Sequence, residues 1–298
     1  MDEELSDPRD EQAPGPVVVG VDDTRHGRQA VEWGAAEAVR LGAPLRLVTA
    51  SGLVGENLPG RKGRDRRLHE VLAGARTAAV AAGAVGVTTA LRSGYPADVL
   101  ADESRAARLV VVGDRGASRL EGVLAGSVAV PLLGRAECPV VVVRGRPLGA
   151  GVAAGLPVVV GLDGTPAADA VLEVGLDLAA VRGAELVALH CAAQPVAGSA
   201  VDGSAVDGSA VGRSAVDGLV AARAAGRGVP VRVVSGTERP GDLLLAEAQR
   251  AQLVVVGSRG RGDLAGLLLG SVSTELVHRA GCPVVVVGPL ARRPVPVR

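Results

Sequence analysis

The chain has 298 residues, enough for two domains of ordinary size, and its 48% hydrophobic and 21% charged residues exclude a fibrous or disordered protein. Thirty-two acidic residues balance 32 basic ones, so nucleic-acid binding would need a localised basic patch; the longest candidate, RKGRDRR at 61–67, is interrupted by Asp65 and reads as a solvated face. No apolar run approaches the ~18 residues of a membrane span.

In chain order, residues 1–15 are acidic and polar, unlike a signal or transit peptide, and predict a disordered tail. Val-rich runs then alternate with Ala/Leu-rich segments. The first half predicts strands at 16–21, 44–50, 86–92, 109–113 and 139–143, with helices at 27–41, 66–83 and 96–107. The Gly/Ala-rich residues 148–156 predict a linker between domains at 16–147 and 157–290. The second half predicts strands at 157–162, 185–190, 230–234, 253–257 and 283–287, with helices at 166–182, 216–227 and 240–251. Within it, GSAVD recurs over 198–218, a low-complexity stretch predicted to be a flexible insertion; 291–298 predicts a C-terminal tail. Trp33 and Tyr95 are the only aromatics, so the core must be Val, Leu and Ala. Strands alternating with helices predict an α/β fold of βαβ units and parallel sheets, and continuously apolar strands predict helices on both faces. Right-handed crossovers then leave few topologies.

The halves repeat one another. VVVGVDDT at 17–24 returns as VVVGLDGT at 158–165, LVVVGDRG at 109–116 as LVVVGSRG at 253–260, and CPVVVV at 138–143 as CPVVVV at 282–287. After the fourth strand of each half comes G-x2-G-x9-G-S: Gly113, Gly116, Gly126 and Ser127, then Gly257, Gly260, Gly270 and Ser271. Glycine at a strand end turns the chain without a Cβ, and Gly116 and Gly260 suit positive φ or close backbone approach to a ligand. Gly-Ser opens the next helix, whose free N–H groups and positive dipole end attract phosphate, with Ser available as N-cap. Asp22 and Asp163 end the first strands, and read either as ligands for a ribose or base donor or as helix caps ahead of Thr24 and Thr165.

These motifs together resemble the universal stress protein family in tandem form, over residues 16–144 and 157–288. The resemblance implies two doubly wound domains, each a five-stranded parallel sheet of order 3-2-1-4-5 flanked by helices. It implies ATP or another adenine nucleotide bound between first and fourth strands, and last strands that dimerise as an internal pseudo-dimer or between chains. It implies contacts from Asp22, Gly113, Gly116, Gly126 and Ser127, and from Asp163, Gly257, Gly260, Gly270, Ser271 and Ser273. Arg115 and Arg259, inside the loops, would help neutralise phosphate, and the base would lie near Ala50 and Cys191. The halves depart from one another: Ala129 stands where the second half has Ser273, Asp23 where it has Gly164, and Pro131 falls in the first turns of the phosphate helix. A carboxylate there repels phosphate unless a cation such as Mg2+ intervenes, so the second cleft fits the binding pattern better, although the GSAVD stretch lies near its adenine end.

Nothing points to catalysis beyond slow ATP hydrolysis. There is no Walker lysine, G-x-S-x-G elbow or HExxH. His26, His69, His190 and His278 lack metal spacing, and Cys138 and Cys282 read as small buried hydrophobes. Three cysteines without CxxC and without a secretory signal predict a cytoplasmic protein. The reading is an ATP-binding, non-catalytic regulator of stress response without nucleic-acid or membrane partners. The alternative is a scaffold of the same fold that acts through dimerisation and protein partners. A third, an adenylyl transferase or flavoprotein subunit, lacks HxGH and SGGxDS signatures.

Overall fold

The computed structural model describes residues 15–52, 61–114, 128–145, 155–191, 208–260 and 269–291. Arg115, Gly116, Gly126 and Ser127 lie outside these residues, as do most of the predicted linker, both predicted tails but for Gly15 and Ala291, and the first half of the GSAVD stretch.

The first half runs β1 (Val17–Gly20), α1 (Arg25–Leu41), β2 (Leu45–Ala50), α2 (Arg61–Ala81), β3 (Thr88–Arg92), α3 (Pro96–Glu103), β4 (Leu109–Gly113), α4 (Ala129–Leu133) and β5 (Val140–Val143). The second runs β6 (Val158–Leu162), α5 (Ala167–Ala180), β7 (Leu186–Cys191), α6 (Gly208–Ala224), β8 (Val231–Gly236), α7 (Pro240–Ala248), β9 (Leu253–Gly257), α8 (Ser271–Arg279) and β10 (Val284–Val287). Local chemistry sets the ends. Thr24 Oγ1 accepts from Gly27 N at 3.0 Å and caps α1, which stops at Gly42 with φ +57°. Proline opens α3 and α7, where its missing N–H costs nothing.

All ten strands join one sheet, in the order β3-β2-β1-β4-β5-β10-β9-β6-β7-β8. Each half therefore has the 3-2-1-4-5 order, with every pair inside it parallel. The halves are joined by β5 against β10, which is antiparallel, with Val141 opposite Val285. These two valines hold equivalent positions in the repeat, so a pseudo-two-fold axis passes between them.

Alternate residues of each strand enter different cores. Val17, Val19, Val111 and Val141 pack on the face covered by α1, α2, α5 and α6. Val18, Val110, Val112, Val140 and Val142 pack on the face covered by α3, α4, α7 and α8. This is why the strands read as unbroken valine runs. Each fully buried valine contributes about 1.5–3 kcal/mol, and both cores continue across the seam between the halves. With few large side chains, helix and strand must approach closely. A Cβ on Gly34 would come 2.5 Å from Val19 Cγ2, and one on Gly175 would come 2.3 Å from Val160 Cγ2.

Two helices differ from expectation. α2 starts at Arg61, not 66, so the basic run 61–67 forms about the first two turns of the helix, mostly exposed over 62–67. α6 starts at Gly208, not 216, and takes in the last GSAVD-like residues. Val216 and Val220, one helical turn apart, are both buried there, and that apolar stripe extends the helix backwards into sequence that composition alone assigns to a loop.

Candidate functional site

The carboxyl ends of β6 and β9 lie side by side where the strand order reverses, the crevice in which open α/β sheets bind ligands. Asp163 leaves β6, and its Oδ1 accepts from Thr165 N (2.9 Å) and Thr165 Oγ1 (2.7 Å). Asp163 therefore orders the turn into α5 and is not itself the helix cap. Its other oxygen, Oδ2, faces the glycine loop: a Cβ on Gly260 would lie 3.0 Å from it. Gly260 does not take positive φ, so close approach, not left-handed backbone, is what requires glycine there.

The loop and the helix after it are stitched together. Gly270 N donates to Ser258 O at 2.7 Å, and Ser258 N donates to Val287 O of β10 at 2.9 Å. Gly270, with φ −71° and ψ 160°, is the N-cap of α8, and Ser271 is its exposed first residue. The expected serine cap is thus a glycine cap, which leaves the Ser271 hydroxyl outside the helix's own hydrogen bonding. Amides in the first turn of α8 have no partner within the helix, and the N-cap lies beside the loop: a Cβ on Gly270 would be 3.7 Å from Gly260 N. Ser273 is buried, and its hydroxyl donates to Gly257 O at 2.6 Å. It ties the helix to the strand end, a role different from the phosphate contact expected of it. Arg259 is exposed at the rim.

The described part of the first-half cleft carries different side chains. Asp22 Oδ1 accepts from Thr24 N (3.0 Å) and Thr24 Oγ1 (2.6 Å), the equivalent of the Asp163 turn. Asp23 is ion-paired with Arg67 of α2. Asp114, which sequence reasoning did not single out, stands where the second half has Ser258; its Oδ1 lies 3.6 Å from His26 Nε2 and its Oδ2 4.0 Å from Arg144 Nη2. Arg144 also donates to Val277 O, in the last turn of α8. A Cβ on Gly113 would come 2.8 Å from His26 O, so α1 closes on this strand end too. Ala129, buried at the Ser273 position, offers no hydroxyl. Pro131 is the third residue of α4, where its missing N–H was unpaired in any case.

The signal for Asp114 and Ser258 was present in the repeat: LVVVGDRG against LVVVGSRG differs at that residue alone. His190 is buried with Nδ1 donating to Leu162 O at 3.1 Å. Burial pushes the Cys138 and Cys282 thiols up to about 12 and raises that of Cys191, so all three are poor nucleophiles at neutral pH. Among the described residues, no group of three His, Cys, Asp or Glu side chains is placed to hold a metal ion. No described helix is long and apolar enough to cross a membrane.

A doubly wound sheet, duplicated, with a glycine-containing loop and a helix N-terminus at the second-half switch point, defines the class of open α/β sheets that bind ligands at the crevice where strand order reverses. The profile of the universal stress protein family matches residues 15–144 and again 156–288. A universal stress protein of Mycolicibacterium smegmatis is 36% identical over 289 residues, covering 92% of this chain and 97% of that protein. One from Mycobacterium tuberculosis is 35% identical over 298 residues, covering 95% and 99%. A universal stress protein crystal structure from Archaeoglobus fulgidus superposes with TM-score 0.70 at 21% identity, over 91% of this chain and 98% of that one, and supports the fold. The chain belongs to the universal stress protein family, in its tandem form.

Proposed function

We propose that the chain binds an adenine nucleotide, ATP, in the second-half cleft and acts as a non-catalytic regulator in stress response. One observation carries the reading: Asp163 Oδ2 faces Gly260 so closely that a Cβ would lie 3.0 Å from it, beside the free amides of α8. A carboxylate suits ribose or base donors, and amides at a helix start suit phosphate. Gly257, Gly260, Gly270 and Ser271 would line the phosphates, with Arg259 at the rim. ATP would enter as its Mg2+ complex, whose charge offsets Asp163. The units are the halves 16–147 and 157–290 joined by 148–156, in a cytoplasmic protein. Nucleotide occupancy would bias partner binding or pairing of chains by favouring one conformation over another.

Equilibrium dialysis against millimolar labelled ATP tests this. We expect one nucleotide per chain. Gly270→Val with Ser271→Ala is expected to abolish uptake while cooperative unfolding is retained. Gly270 already has extended backbone, and a Cβ there meets its nearest atoms at an ordinary 3.6 Å. No uptake by the wild-type chain would favour the scaffold instead; undiminished uptake by the variant would displace the phosphates from α8.

A further inference from the structure

The strand pair at the seam carries no information about which halves should meet. β5 and β10 are both VVVV, so two first halves or two second halves would zip as well as one of each. The helices beside them are not so permissive. Gly34 and Gly175 pack on the equivalent Val19 and Val160, and Gly42 and Gly183 both take φ +57°, which aligns α1 with α5 residue by residue. That alignment equates Glu37 with Leu178 and Leu41 with Arg182. Under the pseudo-two-fold, Glu37 against Arg182 and Leu178 against Leu41 are the two copies of one contact.

One copy is ionic. Arg182 Nη2 donates to Glu37 Oε2 at 2.6 Å, with the two side chains 3% and 0% exposed. Arg182 Nη1 donates to Leu178 O at 3.0 Å, and its guanidinium lies 5.9 Å from the Trp33 ring centroid. Arg40 Nη1 stands 3.3 Å from the same Glu37 oxygen. Glu37 Oε1 is buried without a hydrogen-bond partner. The other copy, Leu41 and Leu178, is apolar and buried. A buried ion pair rarely outdoes well-packed apolar residues in stability, whereas removing one partner is strongly unfavourable. Two first halves would set Glu37 against Leu41 twice, and two second halves would set Arg182 against Leu178 twice. Every such contact takes from a buried charge its partner across the seam, leaving Glu37 only the half-exposed Arg40 of its own helix and Arg182 no carboxylate.

We propose that the Glu37–Arg182 pair chooses the partner at this seam: it admits a first half joined to a second half, and excludes like halves from another copy of the chain.

The register supplies the reporter, because Val141 faces Val285. All test chains are full-length and carry Cys191→Ser. One carries Glu37→Arg with Val141→Cys; the other, tagged, carries Arg182→Glu with Val285→Cys. Refolded together under copper–phenanthroline oxidation, they are expected to give at least fivefold more mixed two-chain disulfide than either gives with a chain of unaltered seam bearing the complementary reporter. A single chain with both reversals and both reporters is expected to regain the intrachain disulfide and the wild-type thermal midpoint, and so covers the case in which the single reversals fail to fold. Equal yields in all mixtures overturn the proposal, as does failure of the doubly reversed chain to regain its intrachain disulfide.

Discussion

The two clefts share a strand order and differ in charge. At the second, Asp163 is accompanied by Gly164, Ser258 and, just after β10, Gly288. At the first, the equivalent positions are Asp22, Asp23, Asp114 and Arg144, with Arg67 and His26 drawn in as partners. Three carboxylates replace one: Asp23 is answered by Arg67 and Asp114 by His26 and Arg144, while Asp22 is held by Thr24. A charge about 4 Å from a phosphate is worth about 1 kcal/mol in water and about 4 kcal/mol at an effective dielectric of 20. Among the described residues, the first-half strand ends are thus tied into an internal ionic network, whereas Gly164 and Ser258 leave the second half without those charges.

The largest expected effect breaks the better cleft. Gly260→Val puts carbon against Asp163 Oδ2 and fills the space between carboxylate and loop. ATP affinity measured by calorimetry should fall by at least about 100-fold, or roughly 3 kcal/mol by the standard conversion. The same change at Gly116 should alter total uptake less than twofold. Comparable losses from the two substitutions would mean that the clefts are functionally equal.

Next comes an attempt to erase the difference. Asp23→Gly, Asp114→Ser, Ala129→Ser and Arg144→Gly together give the first half the side chains of the second at these positions. Calorimetric stoichiometry is expected to rise from one nucleotide per chain to two. A stoichiometry that stays at one would place the limit outside these four residues.

That experiment targets what could not be read from one sequence. The strands were legible because valine runs buried on both faces admit little else, and the glycine loops because their spacing recurs. Only the coordinates show that Asp22 and Asp163 are not themselves the helix caps: Thr24 caps α1, and each carboxylate holds the turn ahead of its helix. Arg67 with Asp23, Arg144 with Asp114, and Arg182 with Glu37 lie 44, 30 and 145 positions apart respectively in the chain. Single charged residues on helices read as solvent-facing, and nothing local signals that Glu37 and Arg182 are buried against each other. Likewise, the Ser273 hydroxyl is a reasonable phosphate donor until Gly257 O is found 2.6 Å away.

Ser273→Ala sharpens the comparison on a finer scale, since it makes the second half resemble the first at Ala129. Loss of one buried hydrogen bond should lower unfolding stability by about 1–2 kcal/mol, and the loosened joint between β9 and α8 should weaken ATP binding roughly fivefold. Urea unfolding and calorimetry read the two effects separately. A drop in stability without a change in affinity would make the tie structural only.

The smallest difference is expected where the halves agree. Cys138 and Cys282 precede the two seam strands, both are buried, and burial pushes both thiols up to about 12 from 9.0. A thiol whose folded value lies above its unfolded value keeps its proton longer when folded. Its contribution to stability is therefore complete below pH 9 and is lost progressively as pH rises toward 12. Alkylation of native protein at pH 8 should then proceed at Cys191, which is only half-buried, at least tenfold faster than at either seam cysteine, with Cys138 and Cys282 within about twofold of each other. Unequal protection of the two would reveal that the seam opens from one side, and the asymmetry seen in charge would extend to the dynamics of the strands that join the halves.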